Sequence, residues 1–119
     1  MKANSRRPEQ VAETVRQVVA EALVSEVRDP RVGFVTVTQV QVSNDLSHAV
    51  IRVSVMGQSE DKARALEGLE SAAGFLRGKL TKALSIRMVP ELHFELDKGL
   101  EHAARIEALL AGLRREAKD

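Results

Sequence analysis

An α+β domain is what this sequence predicts, on three observations. Three stretches space their apolar residues by three or four, around Val11–Ala22, Leu66–Leu84 and Leu100–Leu113; three others alternate apolar with polar residues. The two kinds interleave in the order α, β, β, long α, β, α, with no repeat, long linker or low-complexity tract. At 119 residues the chain suffices for one domain, expected over 1–119 with short flexible ends at about 1–6 and 114–119.

The first helix opens at Pro8, whose fixed φ suits a first turn. Val11, Val15, Val18 and Ala22 form its buried stripe, with Glu13, Arg16, Gln17 and Glu21 outward. It must end before Asp29-Pro30, because proline disfavours helical geometry in the residue preceding it. Gly33 to Ser43, GFVTVTQVQVS, is rich in β-branched residues, but Val35 and Val37 are odd-numbered while Val40 and Val42 are even. A period-two pattern changes face only through an extra residue, so a bulge is expected between Thr38 and Val40. Asn44-Asp45 makes a turn, and Ala49, Ile51, Val53 and Val55 continue as a second strand antiparallel to the first.

A long helix follows, with Ser59 as its cap and Glu60 and Asp61 in its first turn. Leu66, Leu69, Ala73, Leu76, Leu80 and Leu84 are its apolar stripe. A third strand is expected over Ile86 to Leu96, alternating through Met88, Leu92, Phe94 and Leu96. Beyond Asp97-Lys98-Gly99, a last helix is marked by Leu100, Ala103, Ile106, Leu110 and Leu113.

Composition narrows the function. Hydrophobic residues make up 44% and charged residues 29%, which suits a folded globular chain. There is no cysteine, hence no disulfide or thiolate chemistry, and a reducing compartment is the simpler expectation. MKANSRRPEQ lacks the apolar region of a secretory signal and no run reaches membrane-span length, so a cytoplasmic protein without membrane contact is expected. A net charge of +1 conceals a basic segment: Ser71 to Pro90 contains Arg77, Lys79, Lys82 and Arg87 and no acid.

That segment lies in a helix interrupted by Gly68, Gly74 and Gly78, each costing about 0.8–1.0 kcal/mol relative to alanine. On a wheel of about 100° per residue, Ser71, Gly74, Gly78 and Lys82 line one outer face, opposite the leucines. Two uses fit a smooth face bordered by positive charge: close packing of another helix, or approach of a phosphate backbone. Phe75 also falls off the apolar stripe, so it is either exposed or buried by a bend at Gly74.

No catalytic constellation appears, and no enzyme is expected. Gly74, Gly78 and Lys79 have the wrong spacing for a phosphate loop and Leu80 follows the lysine. His48 and His102 have no evident catalytic partners, and neither a nucleophile elbow nor a dinucleotide fingerprint is present. Glu91, His93 and Glu95 share one strand face, but nothing in the sequence completes a coordination set, so no metal and no cofactor are expected. The aromatic residues are Phe34, Phe75 and Phe94 alone, too few for an aromatic base-stacking sheet.

The segments DPRVGFVTVTQVQVSNDLSHAVIRVSV, SAAGFLRGKL, IRMVPELHFELD and RIEALL, in this order and spacing, resemble the ribosome-binding factor A family of bacteria, from about Arg7 to Leu110. The resemblance implies a type II KH-like fold in which an Ala-x-Gly kink between two helices replaces the usual GxxG loop. Here the kink is Ala72-Ala73-Gly74, and no two glycines stand three apart. The stripe keeps its phase across Gly74, which allows a bend but no inserted loop. The resemblance further implies a monomeric, non-catalytic protein that binds the free small (30S) ribosomal subunit and its 16S rRNA. It assists late rRNA maturation, including the 5′ end, and matters most in the cold. Candidate RNA-binding residues are Arg77, Lys79, Lys82 and Arg87, with Arg6 and Arg7 secondary. Gly99 stands where the family often has serine, and the long charged tail of some relatives is not seen after Arg114-Arg115-Glu116-Ala117-Lys118-Asp119. The competing reading is a protein-interaction module that packs a partner helix on the glycine face, with RNA affinity incidental.

Overall fold

A computed structural model of the chain describes residues 7–86, 88–99 and 108–112. Its elements are α1 (Pro8–Ser25), β1 (Val35–Val42), β2 (His48–Val55), α2 (Ser59–Leu84) and β3 (Glu91–Leu96). Of the last predicted helix, 108–112 are helical, with Leu109 and Leu110 exposed, and 98–99, just before its expected start, are helical too; the rest of it, and the expected flexible ends, lie outside the described residues.

The three strands form one mixed sheet in the order β1-β2-β3. β1 and β2 are antiparallel, joined by a turn in which the Leu46 amide donates to the Ser43 carbonyl (2.9 Å). The Asp45 carboxylate accepts from the hydroxyls of Ser43 and Ser47 and from the Ser47 amide, and these donors hold its pKa down to about 2. The expected bulge is present: the register shifts between Val37 and Gln39, leaving Thr38 as the extra residue. Its hydroxyl donates to the Arg52 carbonyl (3.2 Å), and Val40 and Val42 turn back to the core after it.

β2 and β3 run parallel, a pairing no hairpin can make; α2 is the crossover that returns the chain to the same end of the sheet. β3 is shorter than the alternation suggests. It starts at Glu91 because Pro90, buried just before it, has no N–H for the ladder, and Met88 faces solvent.

Both helices cover one face of the sheet. Val11, Val15, Val19 and Ala22 of α1 meet Ala49, Ile51, Val53 and Val55 of β2, Leu92 and Phe94 of β3, and Ala65, Leu69, Leu76, Leu80 and Leu84 of α2. Val19, rather than the predicted Val18, is fully buried, and Val18 packs at the margin. Each fully buried leucine of α2 contributes about 1.5–3 kcal/mol, so four of them outweigh what three helical glycines cost.

α2 begins one residue earlier than a cap at Ser59 predicts. Gln58 caps it, its amide donating to the Asp61 carboxylate (2.8 Å), and Ser59 is the first helical residue. The helix runs unbroken from there to Leu84, through Ala72-Ala73-Gly74. The helix pair implied by the resemblance is therefore a single element here, without an inserted loop, as the continuous leucine phase requires. α2 ends at Ser85, a left-handed residue (φ 53°) without glycine's freedom.

Candidate nucleic-acid interface

The chain between α1 and β1 clamps onto the middle of α2. The Asp29 carboxylate accepts from the Arg31 guanidinium (2.6 Å) and from the Arg31 amide (2.9 Å), which lowers its pKa to about 2. Arg31 also donates to the Ser71 hydroxyl (3.1 Å). Gly68 makes the contact close: a Cβ there would stand 2.6 Å from Val32 Cγ2. Gly68 is thus the packing glycine of α2, and its contact is with a loop of this chain.

Gly74 and Gly78 do something different. Both are exposed, and a Cβ built on either meets nothing within 4 Å. Together with exposed Ser71 and Lys82 they make the smooth outer face predicted from the wheel; Arg31 reaches its Ser71 end, and the space over Gly74 and Gly78 is open among the described residues. Arg77 flanks one side. Its guanidinium donates to the Val89 carbonyl (3.2 Å), which anchors the approach to β3 and leaves the rest of the group in solvent.

Phe75 and Lys79 flank the other side. Phe75 is exposed (50%), which resolves the puzzle of its position without burial. It lies beside an open cleft lined by Val27, Arg28, Pro30 and Ala72. Lys79 Nζ sits 5.8 Å from the Phe75 ring centre and 2.6 Å from a Glu26 carboxylate oxygen. Its charge is therefore partly matched within the chain, whereas Lys82 is exposed in the last turn of α2.

The structure thus brings Arg77, Lys79 and Lys82 around one glycine face. Arg7 is elsewhere, capping α1, and Arg6 and Arg87 lie outside the described residues. Exposed Arg28, beside the Phe75 cleft, escaped the sequence reading. Its signal is non-local, because only the clamp of the 29–32 loop on α2 brings it near the basic segment.

A three-stranded mixed sheet backed by two helices, with a cationic glycine face on the crossover helix, defines a KH-like α+β module. A family profile for ribosome-binding factor A matches residues 7–110, and the chain belongs to that family. It is 46% identical over 112 residues to the ribosome-binding factor A of Thermomicrobium roseum, covering 94% of this chain and 87% of that one. It is 48% identical over 117 residues to the Gemmatimonas aurantiaca protein of the same name, covering 96% and 80%. Among solved structures, the crystal structure of ribosome-binding factor A from Thermus thermophilus superposes with a TM-score of 0.65 at 25% identity, covering 76% of this chain and 97% of that one. A homology model of the Thermus thermophilus factor fitted into a cryo-EM map of its 30S complex matches with a TM-score of 0.60 at 26% identity, covering 73% and 91%.

Proposed function

We propose that this chain binds the free small ribosomal subunit, with the C-terminal half of α2 against 16S rRNA, and assists late maturation of that RNA, including its 5′ end. The observation that carries the reading is the open glycine face: Gly74 and Gly78 have nothing within 4 Å of an added Cβ, and Arg77, Lys79 and Lys82 border them. Small residues let a sugar–phosphate backbone come close, and the flanking cations neutralise it. Exposed Phe75 adds one ring on which a splayed base stacks. Support from outside the chain is the Thermus thermophilus relative fitted in a 30S complex.

The mechanism is binding without catalysis, by a monomer in the cytoplasm. A protein that binds one rRNA conformation more tightly than its competitors shifts the folding equilibrium by that difference in affinity. Misfolded RNA helices escape more slowly in the cold, which is where such a factor matters most. No helix among the described residues is long and apolar enough to cross a membrane.

Co-sedimentation with immature and mature small subunits across a salt series tests this. Log affinity falls linearly with log salt, and Lys82→Ala flattens the slope by about one unit while leaving the fold intact. Arg77→Ala acts similarly but also loses the Val89 hydrogen bond, worth about 1 kcal/mol of stability. Binding indifferent to salt and to Lys82→Ala, yet abolished by Phe75→Ala, would replace this reading with that of an apolar protein-docking helix.

A further inference from the structure

We propose that His48, Glu91 and His93 form a surface site for a divalent transition-metal ion of zinc's class, at the end of the sheet where β2 and β3 begin. Sequence spacing groups Glu91 and His93 with Glu95, an incomplete set. The parallel register changes the membership. It places His48 beside Glu91 and Val50 beside His93, so the imidazole at the start of β2 leans across to both ligands on β3. Glu95 is drawn away, its carboxylate accepting from the Arg52 guanidinium (3.3 Å).

One ligand atom from each of the three residues lies within 4.8 Å of the others. His48 Nδ1 stands 3.0 Å from His93 Nε2 and 3.9 Å from a Glu91 carboxylate oxygen. Zinc bonds of about 2.0–2.1 Å at tetrahedral angles put neighbouring ligand atoms about 3.3–3.4 Å apart, midway between those two distances. Small rotations of the exposed His48 and Glu91 side chains about the half-buried His93 close the difference. Two imidazoles and one carboxylate are the donor set that zinc and its neighbours in the divalent series take, leaving the remaining positions to water.

The backbone under the ligands is held in place. The Glu91 amide donates to the Ser47 carbonyl (2.9 Å), and His48 exchanges hydrogen bonds with Ser43 through its amide and its carbonyl. The competing arrangement is a plain hydrogen bond between the two rings, with one N–H donating to the other ring's lone pair. A metal ion takes both lone pairs at once and draws in Glu91, which the ring–ring bond leaves 3.9 Å away.

The test is calorimetric titration of the untagged full chain with zinc chloride in a non-chelating buffer, paralleled by NMR of the histidine ring protons. One ion per chain is expected, with the His48 and His93 ring signals shifting together on addition. His48→Gln and His93→Gln each weaken binding at least about tenfold, the lower end of what losing even an outer partner of a metal ligand causes. His102→Gln leaves it unchanged. Absence of binding at millimolar zinc, ring shifts confined to His102, or binding that survives the double substitution His48→Gln/His93→Gln overturns the proposal. The wild-type NMR readout stands whether or not a variant folds.

Discussion

Adding one methyl group to each glycine of α2 has opposite consequences along the same helix. At Gly68 the new Cβ meets Val32 Cγ2 at 2.6 Å, Arg31 Cβ at 3.3 Å and Asp29 Cγ at 3.5 Å. Carbon atoms sit comfortably at about 3.5–4.0 Å, so Val32 must retreat by about 1 Å. It retreats with difficulty: its branched side chain has little rotamer freedom, and the Asp29–Arg31 pair and the Arg31–Ser71 bond hold the loop around it. Overpacking of this kind costs about 1–3 kcal/mol, against which the helix regains about 0.8–1.0 kcal/mol of propensity. Gly68→Ala is therefore destabilising, by up to about 2 kcal/mol.

At Gly74 the methyl meets nothing, so Gly74→Ala stabilises the fold by about 0.4–1 kcal/mol, and Gly78→Ala does the same. Urea unfolding followed by circular dichroism reads all three variants on one scale, and co-sedimentation with small subunits reads the second consequence. If the backbone of rRNA approaches this face, the variants that gain stability lose affinity. Gly68→Ala matching Gly74→Ala in stability would refute the packing argument. A Gly74→Ala protein that is more stable and binds undiminished would take Gly74 out of the interface.

Two further substitutions probe the turns that frame the sheet. The Asp45 pKa is lowered to about 2 by its serine donors, so its contribution to stability is complete above the ordinary aspartate value of about 3.9 and is lost as pH falls through about 2. Asp45→Asn should flatten the stability profile in that window, and an unchanged profile in acid titration would show that the turn does not depend on the charge. Ser85 ends α2 at φ 53°, where a Cβ costs about 1–2 kcal/mol. After the extra unfolded-state freedom of glycine is subtracted, Ser85→Gly raises stability by up to about 1 kcal/mol; a lower urea midpoint would mean that the left-handed cap is not strained.

Periodicity determined the elements. β-branched alternation, the phase slip between Val37 and Val40, and the unbroken leucine stripe of α2 specify strands, bulge and helix because each depends on which side of the backbone a residue points to, and that is local. The exposed face of Ser71, Gly74, Gly78 and Lys82 was legible for the same reason. The ends of elements were less so: Pro90 cuts β3 short although the apolar alternation runs past it, and Gln58 caps α2 in place of Ser59.

What a glycine is for, and which charges are spent within the chain, only the tertiary structure decided. Gly68 packs and Gly74 does not because the 29–32 loop returns to one and not to the other. Lys79 is matched by Glu26, 53 residues away, and His48 joins Glu91 and His93 only because β2 and β3 lie parallel. Such contacts join residues far apart in sequence, and their partners are set by how the helices and strands close on one core rather than by any spacing along the chain.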